Sequence, residues 1–318
     1  MKKDFIMMVG LPASGKSTIA KKLKTEYELK GERCTIVSTD EIRKELFGDA
    51  SIQDNKEKVF GMTKNKAVQA LKRGDHVIYD ATNVNSKKRK RILTELKPYI
   101  QNMHQTKAIV TACLPATCIE RNKTRETQAG VAAIHMFYNN FEIPFHEEGF
   151  DKIEIITAED AAPMNIERMK SMMDDFEQNT PHHYQTVGHH GDTTARLFEA
   201  MCYDAHWCQI AAAWHDVGKL FSKSTDENGV SHYYNHENIG AYVLMCRGTQ
   251  LKKEMNLTDG QWLNVLFLIN YHMRPFNWRS DKSILRAQNH FGTEKYFWLT
   301  DFNTCDRTRE RECYLDER

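Results

Sequence analysis

None of the eight cysteines forms a Cys-x-x-Cys pair, and the chain has no internal repeat, no low-complexity tract and no long apolar run. Thiols scattered at 34, 113, 118, 202, 208, 246, 305 and 313 give no disulfide framework and read as reduced, buried groups of a cytoplasmic protein. A membrane-crossing helix needs about 18 consecutive apolar residues, which no segment approaches. The apolar run after Asp4 is Phe5 to Val9, too short for the core of a secretory signal. Charge of one sign is missing as well: 44 Lys and Arg face 43 Asp and Glu, a net of +1. That balance excludes a binder held by bulk electrostatics and leaves room only for a local basic groove.

At 318 residues, 41% hydrophobic and 27% charged, the chain is long enough for two soluble domains with separate cores. The first half alternates short runs rich in Ile, Val and Thr ("FIMMV", "CTIVST", "HVIYDAT", "KAIVTACL", "KIEIIT") with segments of helical length. Continuous rather than alternating hydrophobicity predicts a parallel sheet covered by helices on both faces, an α/β nucleotide-binding architecture. After about Ile156 the strand signal stops. A connecting turn and a helix ending near Asn179-Thr180-Pro181 are expected, and then an all-α half carrying "TTARLFEAMC", "WCQIAAAWHDVGKLF", "ENIGAYVLMC" and "GQWLNVLFLINYH". The predicted organisation is 1–158, a connector at 159–180, and 181–318.

"VGLPASGKST" contains Gly10, Gly15, Lys16 and Ser17 at the spacing GxxxxGK[ST], after an apolar strand and before a helix. Glycines let backbone N–H groups wrap phosphate oxygens, the helix N-terminus adds its dipole, Lys16 reaches the β- and γ-phosphates, and Ser17 ligates Mg²⁺. Ser14 and Thr18 complete the candidate ATP loop. In "VSTDEIRKELFGD", Ser38 and Glu41 have capping-box spacing, so Asp40 and Arg43 fall three apart on one helical face. The spacing fits a surface ion pair as well as a general base (Asp40) beside a phosphate-holding Arg43. Asp80 ends the strand "VIYDATN", where open α/β sheets bind ligands, and can orient Mg²⁺ through water; Thr82 and Asn83 can support the same loop. Arg121 and Arg125 are four apart in "ERNKTRETQAG", on one face of a helix and able to close over a triphosphate. "KKRKR" at 87–91 reads either as a basic track for a polynucleotide or as a solvated helix start.

"GLPASGKST", "STDEIRKEL", "DATN" and "RNKTR", in that order, resemble the P-loop kinases that include the phage-type 5′-hydroxyl polynucleotide kinases, over about residues 5–157. The resemblance implies ATP and Mg²⁺ on Lys16 and Ser17, Asp40 as general base, Arg43 on the acceptor's phosphate, and Arg121 with Arg125 as lid arginines.

In the second half, His215 and Asp216 sit together within an apolar stretch read as helix, where a buried carboxylate needs a partner and a divalent cation is a strong one. "PHHYQTVGHH" precedes them; His236, His272 and Asp306 follow; Lys219 stands four residues after His215, near enough to meet a substrate phosphate. The ordered set resembles the HD phosphohydrolase superfamily over about residues 181–310. That resemblance implies a metal core of His190 (His189 being the next choice), His215, Asp216 and Asp306. His236 and His272 match the additional histidines of two-metal members, with Asp216 bridging. Mixed imidazole and carboxylate ligands suit Mn, Fe, Co, Ni or Zn, and two such ions clamp a phosphate and activate water.

Together the two resemblances imply a bifunctional end-healing enzyme for nucleic acid, RNA before DNA. One half would phosphorylate a 5′-hydroxyl and the other would remove a 2′- or 3′-phosphate or open a 2′,3′-cyclic phosphate, with a separate ligase as partner and no membrane. Known bacterial fusions of these two activities place the HD half first, the reverse of this order. A small-molecule nucleoside kinase fused to an HD nucleotidase, and a nucleotide-sensing regulatory protein, are the competing readings.

Overall fold

The computed structural model describes residues 2–52, 55–100, 103–158, 161–179, 185–201 and 205–312, with side chains from 206 to 307 in the last stretch. The chain divides into two compact units. One comprises Met1–Tyr138 and Pro144–Ala161, the other Asn139–Ile143 and Ala162–Arg318.

The first unit is an α/β fold built on one parallel sheet. Its elements are β1 (Lys3–Val9), α1 (Lys16–Leu29), β2 (Cys34–Ser38), α2 (Thr39–Phe47), α3 (Lys56–Lys72), β3 (His76–Asp80), α4 (Ser86–Ile100), β4 (His104–Ala112), α5 (Pro115–Lys123), α6 (Val131–Asn139) and β5 (Lys152–Thr157). The strands form one sheet in the order β2-β3-β1-β4-β5, every pair parallel. Phe5 to Val9 and Val77 to Tyr79 are all buried because the central strands carry apolar side chains on both faces and flanking helices cover them. Ile6, Met8, Ile78 and Ile109 form a core cluster with Ala20 of α1. From β1 the chain crosses to β2, returns through β3, and then passes to the opposite side of β1 for β4. The crevice at such a reversal is where open sheets bind ligands. Val9 pairs with Val110 and Ser38 with Asp80, so the four strands deliver their C-terminal ends to one edge.

The "KKRKR" run departs from both sequence readings at its centre. Arg89 is completely buried and forms a two-pronged ion pair with the equally buried Glu148, Nε to Oε2 and Nη2 to Oε1 both at 2.6 Å. Its Nη1 also donates to the Asn83 carbonyl at 2.9 Å, so this arginine braces the loop after β3 instead of meeting solvent. Breaking a buried pair strands the other charge, which costs about 3–5 kcal/mol. Arg89→Ala is therefore expected to lower unfolding free energy by about that amount, read from the urea midpoint; a loss comparable to that of a surface residue would refute the bracing role.

The second unit contains α7 (Ile166–Asp174), α8 (Val187–Glu199), α9 (Ala205–Trp214), α10 (Lys219–Ser222), β6 (Ser224–Thr225), β7 (Ser231–His232), α11 (His236–Arg247), α12 (Thr249–Glu254), α13 (Asp259–Tyr271) and α14 (Asp281–Glu312). Among the described residues it is helical apart from an isolated bridge and the β6–β7 antiparallel hairpin, which the all-helical expectation lacked. Two-residue strands leave no periodicity to read. Their turn is held by Asp226, whose carboxylate accepts from the Asn228 and Val230 amides, with Gly229 at φ 78°. The helix expected to run to Asn179 ends at Asp174. Beyond it the chain extends and Glu177 bridges to Thr186. Thus α7, inside the segment read as a connector, packs in the second unit. Pro181 to Tyr184, and residues 159, 160 and 180 of the expected connector, lie outside the described residues.

Candidate functional site

The first cluster of expected residues lies at the C-terminal edge of the sheet. The Gly10 amide donates to the Thr82 carbonyl at 2.9 Å, and its φ is 154°. A Cβ there would lie 2.2 Å from Thr111 Oγ1 and 2.8 Å from Ser14 Oγ, so only glycine fits where the loop leaves β1. Ser14 Oγ and Thr111 Oγ1 are 2.5 Å apart, tying the loop to β4. Gly15, at φ 99°, starts α1 without a side-chain cap, leaving the first-turn amides for an anion. Lys16 is buried and donates to the Leu11 carbonyl at 2.6 Å. Burial pushes its ammonium down to about 8, with Asp80 and Asp40 among the groups opposing the shift. Ser17 Oγ donates to Asp80 Oδ2 at 2.7 Å. That pairs the hydroxyl and carboxylate that a Mg²⁺ site of this type uses. Thr18 is exposed on the first turn of α1. Asn83, at φ 48°, donates from its side chain to the Met8 carbonyl, so Thr82 and Asn83 both brace the loop.

Ser38 caps α2 by accepting from the Glu41 amide. Asp40 Oδ1 then accepts from Arg43 Nη1 at 2.8 Å, with Asp40 well exposed. Both candidate roles of the pair survive this geometry: it is a solvent-facing ion pair, and it stands at the same strand edge as Lys16. Arg121 and Arg125 do not share a helical face. The helix α5 stops at Lys123, and Arg125 follows its Thr124 cap. Asn122 folds the next segment back, its side chain bonding both the amide and the carbonyl of Ala129. Arg125 nonetheless contributes to the field that lowers Lys16.

The second cluster is in the helical unit. His215 and Asp216 sit not inside a helix but in the turn just after α9. The backbone tightens there to bonds between residues three apart: Val217 to Trp214 at 3.1 Å and Lys219 to Asp216 at 2.9 Å. Gly218 explains the turn, because its backbone lies against α11. A Cβ would fall 1.9 Å from the His236 carbonyl oxygen and 2.7 Å from the Gly240 nitrogen. This close approach brings His236, the first residue of α11, to Asp216.

Asp216 is the common member of two groups of buried ligand atoms: His190, His215 and Asp216, and Asp216, His236 and His272. In each group the atoms lie within 4.8 Å of one another. Asp216 Oδ2 is 3.3 Å from His215 Nε2, and Oδ1 is 3.1 Å from His236 Nε2 and 3.9 Å from His272 Nε2. Asp306 Oδ1 lies 2.9 Å from His190 Nε2 and 3.5 Å from His215 Nε2. His189 is exposed outside the cluster, and its amide donates to the Thr186 cap. Lys219 donates to Asp216 Oδ2 and to Gln178 Oε1, both at 2.6 Å.

The tautomers follow from the carbonyls behind the rings. Nδ1 of His215, His236 and His272 lies 2.7, 2.9 and 2.8 Å from the Ala212, Tyr233 and Ile269 carbonyl oxygens respectively. A carbonyl only accepts, so each Nδ1 carries the proton and each Nε2 turns toward the cluster. His236 Nε2 and His272 Nε2 then face each other at 3.2 Å. Two lone pairs at that distance call for a shared proton or a cation. Burial, with His215 and His236 alongside, pushes His272 down to about 3, so this ring is neutral and ready to ligate. Burial disfavours the charged carboxylates of Asp216 and Asp306, yet their histidine neighbours, with Lys219 for Asp216, hold both below the usual range. Buried imidazoles and two carboxylates form a donor set that fits divalent transition ions.

Two contributors were not visible in the sequence reading. Gln178 lies within the expected connector. It is buried, receives Lys219, and its carbonyl accepts from the Tyr233 hydroxyl, while the Tyr233 carbonyl holds His236. Gly218 was the other, and its place two residues after the His-Asp pair was the available signal.

Residues 5–142 match the family described as an AAA domain, and they contain the whole phosphate cradle. The first unit is a P-loop domain. No curated protein matches the chain. Among solved structures, a chain of a Pnkp1/Rnl/Hen1 complex is 24% identical, with 41% of each chain covered and a TM-score of 0.33. A fungal RNA kinase is 16% identical over 67% of this chain and 50% of its own, TM-score 0.36. A gluconokinase from Sinorhizobium meliloti 1021 is 13% identical over 48% and 81%, TM-score 0.33. The present chain therefore spans about two fifths of the repair-complex chain and half of the fungal one. No helix of the described residues is long and apolar enough to cross a membrane.

Proposed function

We propose that this protein is a two-site enzyme that heals nucleic-acid ends, RNA before DNA, in the cytoplasm. At the P-loop domain it would transfer a phosphoryl group from ATP·Mg²⁺ to a 5′-hydroxyl, and at the helical unit it would remove a 2′- or 3′-phosphate or open a cyclic one. The observation that carries the reading is the sharing of buried Asp216 between two histidine pairs in a chain that also holds a complete phosphate loop. Hydrolysis and phosphorylation then act on the two defects of one broken strand, leaving sealing to a separate ligase.

In the P-loop domain, Lys16 neutralises the transferring phosphate, and Ser17 with Asp80 holds Mg²⁺. Asp40 accepts the proton of the attacking hydroxyl while Arg43 holds the acceptor's phosphate, and Arg121 and Arg125 balance charge on the nucleotide. In the helical unit, His190, His215, Asp216 and Asp306 would hold one divalent ion, and Asp216, His236 and His272 a second. Such a pair supplies Lewis acidity and activated water. Lys219, with its ammonium on Asp216, orients the phosphate ester and offsets its charge.

The near-neutral net charge favours a rival acceptor, a free nucleoside. A 5′-hydroxyl, 3′-phosphate oligoribonucleotide and a nucleoside, each given labelled ATP, Mg²⁺ and Mn²⁺, separate the two. Label on the oligonucleotide and loss of its 3′-phosphate are expected. Label on the nucleoside alone would sink the end-healing reading, and nucleotide binding with neither reaction would favour a sensor.

A further inference from the structure

Residues 139–143 run from the last residue of α6 toward β5 of the P-loop domain, and the family match runs through all but the last of them. They nevertheless pack in the helical unit, on the two helices that carry His236 and His272. Asn270 of α13, completely buried, accepts from the Ile143 amide at 2.8 Å and donates to the Phe141 carbonyl at 2.9 Å and to Asn238 Oδ1 at 3.1 Å. Tyr271 donates its hydroxyl to the Ile143 carbonyl at 2.9 Å, and Asn238 of α11 donates to the Asn139 carbonyl at 2.9 Å. Phe141 meets Tyr242 edge-on at 4.7 Å between ring centroids, and Arg274 pairs with Glu142.

These anchors are not distributed over the whole metal cluster. Asn270 and Tyr271 immediately precede His272, and Asn238 follows His236 by two residues. Both main-chain groups of Ile143 are paired, and the carbonyls of Asn139 and Phe141 are tied to the same two helices. We infer that residues 139–143 form a strap that sets the spacing of α11 and α13, and hence the second metal subsite, the one made by Asp216, His236 and His272. Asn238, Asn270 and Tyr271 are its positioning residues. The inference rests on the metal reading of the cluster proposed above.

Manganese titration of the full chain, followed by electron paramagnetic resonance, tests it. The parent protein is expected to take two Mn²⁺ and show the signal of an exchange-coupled pair. In Asn270→Ala the second ion should bind 10–100-fold more weakly, on the order of other losses behind a metal ligand. The signal becomes that of one uncoupled ion while the first ion keeps its affinity. Tyr271→Phe removes one hydroxyl from an otherwise unchanged core, and about a fivefold loss confined to the same ion is expected. It decides the matter should Asn270→Ala not fold. Two ions bound as in the parent by Tyr271→Phe, or equal weakening of both ions in either variant, would overturn the strap. A parent protein that takes no manganese would instead overturn the metal reading.

Discussion

Replacing Asp216 with asparagine is expected to abolish binding at both metal subsites together and to lower phosphoester hydrolysis by at least about a thousandfold, some 4 kcal/mol of transition-state stabilisation. The size follows from the carboxylate's position. Oδ1 serves His236 and His272, Oδ2 serves His215, and Lys219 also rests on Oδ2. An amide retains the shape but loses the charge and one acceptor. It also leaves Lys219 buried without its counter-charge, a further cost of about 3–5 kcal/mol to folding. Metal analysis, circular dichroism and a 3′-phosphate release assay on the same preparation separate the two effects. Transfer from ATP should stay within about twofold of the parent, because the residues assigned to it belong to the other compact unit. A folded Asp216→Asn protein that keeps both ions would show that the carboxylate does not bridge.

The mirror experiment is Lys16→Ala. Loss of phosphoryl transfer by at least about a thousandfold is expected, with hydrolysis at the helical unit unchanged. Lys16 is a buried cation whose ammonium donates to the loop's own Leu11 carbonyl, beside the Ser14–Thr111 contact and Gly10. The alanine variant loses both the charge and a buried donor, and Lys16→Arg should not restore activity, because the larger planar head does not fit the turn. Single-turnover transfer with saturating ATP reads the chemical step, and nucleotide binding reads the ground state. Retention of more than a tenth of the parent rate would remove Lys16 from the chemistry.

Much of this arrangement is visible in the sequence for plain physical reasons. The uninterrupted apolar runs of β1 and β3 predict parallel strands because a sheet buried on both faces has no polar side to alternate with, whereas β5 carries Glu154 and is only partly buried. The loop spacing is equally direct, since each glycine answers a local backbone demand. Other features depend on atoms distant in sequence. Arg89 looks solvated among lysines, and only Glu148, fifty-nine residues later, makes it a core residue. Asp216 seems helical because Trp214 through Phe221 keep an apolar rhythm, yet the approach of Gly218 to α11 forces a turn. Arg121 and Arg125 keep their helical spacing while Asn122 ends the helix by claiming Ala129. The fates of His189 and His190 depend on one cap: Thr186 starts α8 and turns the second histidine, not the first, toward Asp306.

The interleaved boundary between the units constrains how such a protein can have been inherited. Asn270 and Tyr271 are matched to a backbone segment 127 to 129 residues earlier in the chain. A recombination event anywhere after residue 158 would deliver the helical unit without the segment it is built around, and would leave the P-loop domain with an apolar Phe141 and no place to bury it. On this architecture a working exchange of the helical unit has to carry residues 139–143 with it, because the partners of Asn270 and Tyr271 lie there.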